Sequence, residues 1–276
     1  MRDLFQYVFF QHALMGCCLA GIVCGLVGTY IVSRRMVFIA GGIAHSSLGG
    51  VGLCALCGLP PLAGAAVFSL LTGFGVQKLR HRQEVREDSA IAMLWALGMS
   101  IGIICTYLSP SFLPALSNYL FGNILLINTG DLTFLGILAL LSTIIFFLFI
   151  PEIVAVSFDY EFARSQGLPT ATIEYGMMML IALSVVACLR VAGVVMVISL
   201  MSVPQMTANL FTRSFTGMAI LSTVIAIFCC LAGLMFSYYY NVPSGATIIL
   251  FSIAIYMLFR TIKAISLGFS KRKMCS

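Results

Sequence analysis

Charge is what this sequence has least of. Only 9% of its 276 residues are Asp, Glu, Lys or Arg, against about a quarter in ordinary soluble domains. The chain is 61% hydrophobic, with a mean hydropathy of +1.08. Such a chain cannot cover a water-facing surface with polar groups, which excludes a soluble domain. There is no G-x-x-x-x-G-K-[ST] phosphate loop and no H-E-x-x-H helix, so ATP binding of the first kind and metalloprotease chemistry of the second are both unsupported. Secondary transporters and proton pumps usually hold mid-membrane carboxylates for a coupling ion. Here the nine acids (Asp3, Glu84, Glu87, Asp88, Asp131, Glu152, Asp159, Glu161 and Glu174) fall in loops or near the ends of apolar runs.

What the sequence does have is a succession of long apolar runs. A helix of about 20 apolar residues crosses the roughly 30 Å hydrocarbon core of a bilayer. Lipid leaves backbone groups no partners but their own, so a crossing segment is a helix or part of a closed barrel. The runs are continuous, not alternating, which selects helices. Nine candidate spans lie near 5–32, 37–58, 60–79, 89–109, 132–150, 171–189, 192–212, 215–238 and 245–265, or eight if a shorter piece re-enters. The expected fold is an all-α polytopic membrane bundle, with residues 1–276 as a single transmembrane domain. The first run is long enough to remain as a helix, with no cleavable signal evident.

The net charge of +6 is placed by topology. Arg34 and Arg35, the Lys78–Arg86 segment and the Arg260–Lys273 tail sit between or after apolar runs, where the positive-inside rule predicts cytoplasmic loops. This orients the N-terminus outward and the C-terminus inward, and leaves no reason to invoke nucleic acid. The same alternation puts 157–170 and Arg213 inside, and 110–131 and 239–244 outside; Arg190 falls at the outer end of a span. Ten cysteines lie mostly in apolar runs. The Cys54-x-x-Cys57 pair, flanked by Gly52 and Gly58, reads as small packing residues more readily than as a redox or metal pair. Gly21-x-x-x-Gly25 and Gly98-x-x-x-Gly102 have the spacing that lets membrane helices approach closely.

Two places stand out chemically. Ser157 and Asp159 are helix-starting residues and Gly167-Leu168-Pro169 is a stop, so a helix of about two turns fits between them, too short to span. His45 lies about eight residues into the second run, roughly 12 Å along a helix at 1.5 Å per residue, and therefore near mid-membrane. His12 sits early in the first run and His81 in a basic loop. Around His45 run Ala40-Gly41-Gly42-Ile43-Ala44 and Ser46-Ser47-Leu48-Gly49-Gly50. The small residues leave space beside the imidazole, which in neutral form is a ligand for zinc, manganese or iron. A buried histidine bonded to a neighbouring helix is the other reading of this stretch.

Several segments resemble the zinc/manganese-type ABC permease family. They are Ser33-Arg34-Arg35-Met36 through Gly41 to Ser47, Glu87-Asp88-Ser89-Ala90-Ile91-Ala92, Asn118 to Leu125, Phe158 to Leu168, Val191-Ala192-Gly193 through Ser202-Val203-Pro204, and Tyr240 to Gly245. They occur in order from about residue 10 to 265. The resemblance implies a multi-pass cell-membrane transport subunit, not an enzyme, in an ATP-driven importer of divalent transition metals. Zinc is the first choice of cargo, with manganese or iron next, and no cofactor is bound permanently. Its implied partners are the lipid bilayer, two copies of a cytoplasmic ATP-binding subunit, an extracellular or periplasmic metal-binding protein, and a second permease chain in a homodimer. The 157–168 helix becomes the ATPase-coupling element, with Asp159, Glu161, Ala163 and Gly167 matching the family pattern; His45 becomes the metal ligand. The family commonly has aspartate four residues before this histidine, where the chain has Gly41. Gln205-Met206 follow Pro204 where the family has small residues, and Met206 reads as flexible filler before it reads as a soft ligand. The alternatives are an ABC permease for a metal chelate, with His45 structural, and an ATP-independent channel or carrier.

Overall fold

The computed structural model describes residues 7–81, 86–108, 124 and 127–274. The longer helices are α1 (Val8–Ser33), α2 (Val37–Leu56), α3 (Pro61–His81), α4 (Glu87–Leu108), α5 (Thr129–Phe158), α7 (Thr170–Leu200), α9 (Phe215–Tyr240) and α10 (Ser244–Met274). Two short ones, α6 (Tyr160–Ser165) and α8 (Val203–Ala208), lie between them. Among the described residues there is no strand, and eight helices are long and apolar enough to cross a membrane.

The basic ends of the first helices gather at one end of the bundle. Arg34, which caps α1, bonds to Val156 near the end of α5 and to Glu174 near the start of α7, and Arg80 of α3 pairs with Glu87 at the start of α4. The joints are short and fully bonded. After α1 the Arg35 N–H donates to the Val32 carbonyl (3.1 Å) and the Met36 N–H to that of Ile31 (2.9 Å), closing a Schellman turn with Arg35 at φ 60°. A non-glycine residue rarely occupies that region, so this joint is held by what surrounds it. At the other end Asn128 accepts from the Asp131 N–H (2.8 Å) and Asp131 reciprocates, a capping box that starts α5.

The expected span over 192–212 runs from one end of the bundle toward the other, but not as one continuous helix. Within α7, Gly193 has φ 74° and ψ 163° and turns the chain back on itself. Val191 lies against Gly16, toward the N-terminal end of α1, whereas Ile198 lies against Gly41 near the basic end of α2 and Gln205 against Gly28. Residues 193–208 thus descend as two short helical pieces, broken at Met201–Ser202 and restarted with Pro204 in the first turn of α8. Glycine supplies the positive φ and proline lacks the N–H that would continue the ladder. Broken backbone at membrane depth survives where protein satisfies it. Here the Ser202 hydroxyl donates to the Ile198 carbonyl (2.7 Å), and Gln205 Nε2 donates to the carbonyls of Cys24 (2.6 Å) and Leu200 (3.2 Å). Met206 does not fill the core; it is 42% exposed.

Glycines set the distances between helices. A methyl group added at Gly25 would lie 2.4 Å from Thr223 Cα on α9, and one at Gly98 would lie 2.5 Å from Ser46 Cα on α2. On the opposite side of α2, a methyl at Gly50 would lie 2.0 Å from the Gly64 carbonyl oxygen of α3. Gly50→Val is accordingly expected to destabilise the bundle by roughly 1–3 kcal/mol, the usual cost of overpacking. This should appear as a lower thermal midpoint of the purified protein in detergent; an unchanged midpoint would mean that α2 and α3 part freely.

Candidate functional site

α2 is clasped by α3 through Gly50 and Gly64 and by α4 through Gly49, Gly98 and Gly102. On its remaining side it meets the broken 193–208 segment at Ile198. His45 packs on α4. It is half-buried, and its ring lies flat on Trp95 of α4, with centroids 4.5 Å apart and planes 9° from parallel. Its Nδ1 is buried with no hydrogen-bond partner. An orphaned imidazole nitrogen in a dry setting costs free energy, which a satisfied structural histidine would not incur. One turn earlier, a methyl group at Gly41 would meet the end of the Ile198 side chain at 3.2 Å, so a side chain there requires Ile198 to yield. Trp95 is the one tryptophan in the chain, and nothing in the sequence signals its stacking on a histidine 50 positions away.

Among the described residues no three His, Cys, Asp or Glu side chains converge on a metal-sized site. Cys54 packs against Gly64, and Cys57 is exposed as the residue capping α2; both are free thiols. Gly98-Met99-Ser100-Ile101-Gly102 has the spacing of a hydrolase nucleophile turn, but it lies mid-helix with the Ser100 hydroxyl donating to the Ala96 carbonyl (2.7 Å). A strained strand-to-helix turn is what that chemistry needs. The side chains of Arg190 and His81, and the 118–125 segment apart from buried Ile124, lie outside the described residues.

The second place is α6. Asp159 caps it, accepting from the Phe162 N–H (2.9 Å), while Ser157 belongs to the end of α5 and donates to the Ile153 carbonyl (2.5 Å). At its far end Gly167, at φ 78°, closes a Schellman turn: its N–H donates to the Arg164 carbonyl (3.0 Å) and that of Leu168 to Ala163 (3.2 Å). Glu161 and Phe162 face outward, Phe162 being 57% exposed, whereas Ala163 is fully buried against the bundle. Glu161 and Ala163 thus sit on opposite sides of α6. Phe162 is an exposed apolar side chain on this helix that the sequence did not single out.

Beside α6 lies a charge cluster that sequence position alone did not reveal. Glu174, expected near a span end, is buried, its side chain 1% exposed. Its Oε1 accepts from Arg34 Nη2 (2.5 Å) and from Arg80 Nη2, and its Oε2 accepts from Gln77 Nε2 (2.8 Å). Arg34 Nη1 donates to the Val156 carbonyl (2.8 Å), and Arg80 also reaches Glu87 (3.7 Å).

The family described as the ABC 3 transport family matches residues 6–263. An uncharacterised membrane protein of Synechocystis is 37% identical over 258 residues, covering 94% of this chain and 92% of its own length. The manganese transport system membrane protein MntC of Listeria monocytogenes is 30% identical over 258 residues, with coverage of 94% and 92%. Among solved structures, PsaBC from Streptococcus pneumoniae in complex with Fab superimposes with a TM-score of 0.83 at 28% identity, covering 94% of this chain and 93% of that one.

Proposed function

This chain belongs to the ABC 3 transport family, and we propose that it forms the pathway of an ATP-driven importer that passes a divalent transition metal ion along His45. The observation that carries the reading is the orphaned Nδ1 of His45, on a ring stacked on Trp95 of α4 and one turn from Gly41, where α2 meets a broken membrane segment. Discontinuous helices at the midplane are where membrane transporters build their ion sites. One imidazole is too little for a transition metal. A second copy of the chain, placed with its His45 facing this one, would supply the other, which makes the permease a homodimer. α6 would dock two copies of a cytoplasmic ATP-binding subunit, with Asp159 and Gly167 shaping the helix, Ala163 seating it and Glu161 meeting the partner. An extracellular metal-binding protein would deliver the ion to the opposite end.

Nitrogen donors without a carboxylate suit zinc, while the name of the Listeria relative points to manganese. Those two are the first ions to test, with iron third. The half-buried indole of Trp95 favours one other reading, in which the cargo is a metal chelate packed on the aromatic surface. The test is uptake into proteoliposomes containing the chain, its ATPase and its binding protein, with zinc, manganese and iron in parallel. ATP-dependent accumulation of one free ion is the expected result. Intact assembly with ATPase activity but no movement of any free ion would overturn it in favour of a chelate. Uptake independent of ATP would leave a channel or carrier.

A further inference from the structure

Apolar side chains of similar volume generally hold a bundle together as well as a buried ion pair does or better, so stability alone does not account for a cluster like the one around Glu174. Its connections are specific. The coupling segment is attached to the bundle by two struts: the end of α5, which runs into Asp159, and the start of α7, which follows Pro169. Arg34 holds both. One amino group of its guanidinium donates to the Val156 carbonyl on the first strut and the other to the Glu174 carboxylate on the second. Arg34 also opens the joint into α2, and only Arg34, Arg35 and Met36 separate α1 from α2. Arg35 is already in the left-handed region and the turn is fully hydrogen-bonded, so the joint has no slack. A displacement of the struts therefore moves the first turn of α2, eight residues before His45. A second arm runs from Glu174 through Arg80 to Glu87, the first residue of α4, eight residues before Trp95. The two helices that carry the stacked rings are thus joined at this end of the bundle to one charge cluster, α2 through Arg34 and α4 through Glu87 and Arg80.

We infer that Arg34 and Glu174 are positioning residues that transmit movement of the 159–167 helix to α2 and α4, and so couple ATP hydrolysis to the His45 site. The inference rests on the docking role proposed for α6. It also predicts why position 34 needs arginine. Lysine carries a compact charge that can keep the ion pair with Glu174, but it lacks the planar fork that reaches two acceptors at once.

The experiment compares wild type, Arg34→Lys and Glu174→Gln in proteoliposomes with the ATPase and the binding protein. It measures ATPase co-purification, ATP hydrolysis and metal ions moved per ATP, using whichever of zinc, manganese or iron the wild type accumulates. Both variants are expected to keep the ATPase and to hydrolyse ATP, while ions moved per ATP fall by about tenfold, within the roughly 5–150-fold span of ordinary coupling free energies. Arg34→Lys with wild-type ions per ATP would overturn the inference. So would loss of folded, monodisperse protein in both variants, since the cluster would then be structural. Failure of the wild type to bind the ATPase or to move any ion with ATP would instead remove the reading of the chain as an importer, separating the two failures.

Discussion

Replacing His45 with alanine is expected to lower ATP-dependent metal uptake by at least about tenfold, the equivalent of about 1.4 kcal/mol, while the bundle folds and the ATPase still binds. The expectation follows from the site. Nδ1 makes no hydrogen bond, so truncation breaks none there and leaves a small void beside Trp95, itself half-buried. A histidine that held helices together would behave in the opposite way, with expression and thermal midpoint falling in step with uptake. In a homodimer the effect is enlarged, because one substitution removes both nitrogens of the shared site. A companion change, Gly41→Asp, introduces a carboxylate one turn from His45 into a position where only Ile198 must yield. A hard oxygen donor beside imidazole should shift preference toward manganese relative to zinc. Competition uptake with both ions reads that shift, and an unchanged preference would mean that position 41 does not face the ion.

The double change Glu161→Lys and Ala163→Trp should abolish co-purification of the ATP-binding subunit while leaving the membrane helices folded. The two substitutions act from opposite sides of α6. Glu161 is exposed, so a reversed charge meets the partner directly. Ala163 has no free surface, and indole in its place must lever the helix outward or strain its neighbours by roughly 1–3 kcal/mol. The singles separate these effects. Glu161→Lys alone should weaken association without changing the thermal midpoint, and Ala163→Trp alone should lower both. Retained association in the double variant would remove α6 as the docking element.

Much of this protein was legible in its residues because its solvent is lipid. Apolar length and the need to satisfy backbone groups within each segment made eight helices readable, several almost to their ends, as at 5–32 against Val8–Ser33 and 215–238 against Phe215–Tyr240, whereas 132–150 stops eight residues short of the end of Thr129–Phe158. The cap and stop of α6 were equally local, since Asp159 bonds three residues ahead and the Gly167 turn closes within five. His45 could be picked out because an ionisable group deep in an apolar run is costly wherever the helix packs. The 192–212 stretch was legible only in part, as a crossing but not as a broken one. Its hydropathy is that of a span, and hydropathy does not register that one glycine at φ 74° folds it back.

Only the tertiary structure decided what the readable pieces do to one another. Whether the glycines of α2 face α3, α4 or the broken segment depends on helix rotation, which composition leaves open. The stacking of His45 on Trp95, the burial of Glu174 and the two-way grip of Arg34 join residues far apart in sequence, 122 positions for Arg34 to Val156 and 140 for Arg34 to Glu174. Short-range pattern is set by backbone geometry and by transfer from water to lipid, both properties of each segment alone. Contacts at such separations are set by how the helices pack, which is a property of the whole bundle.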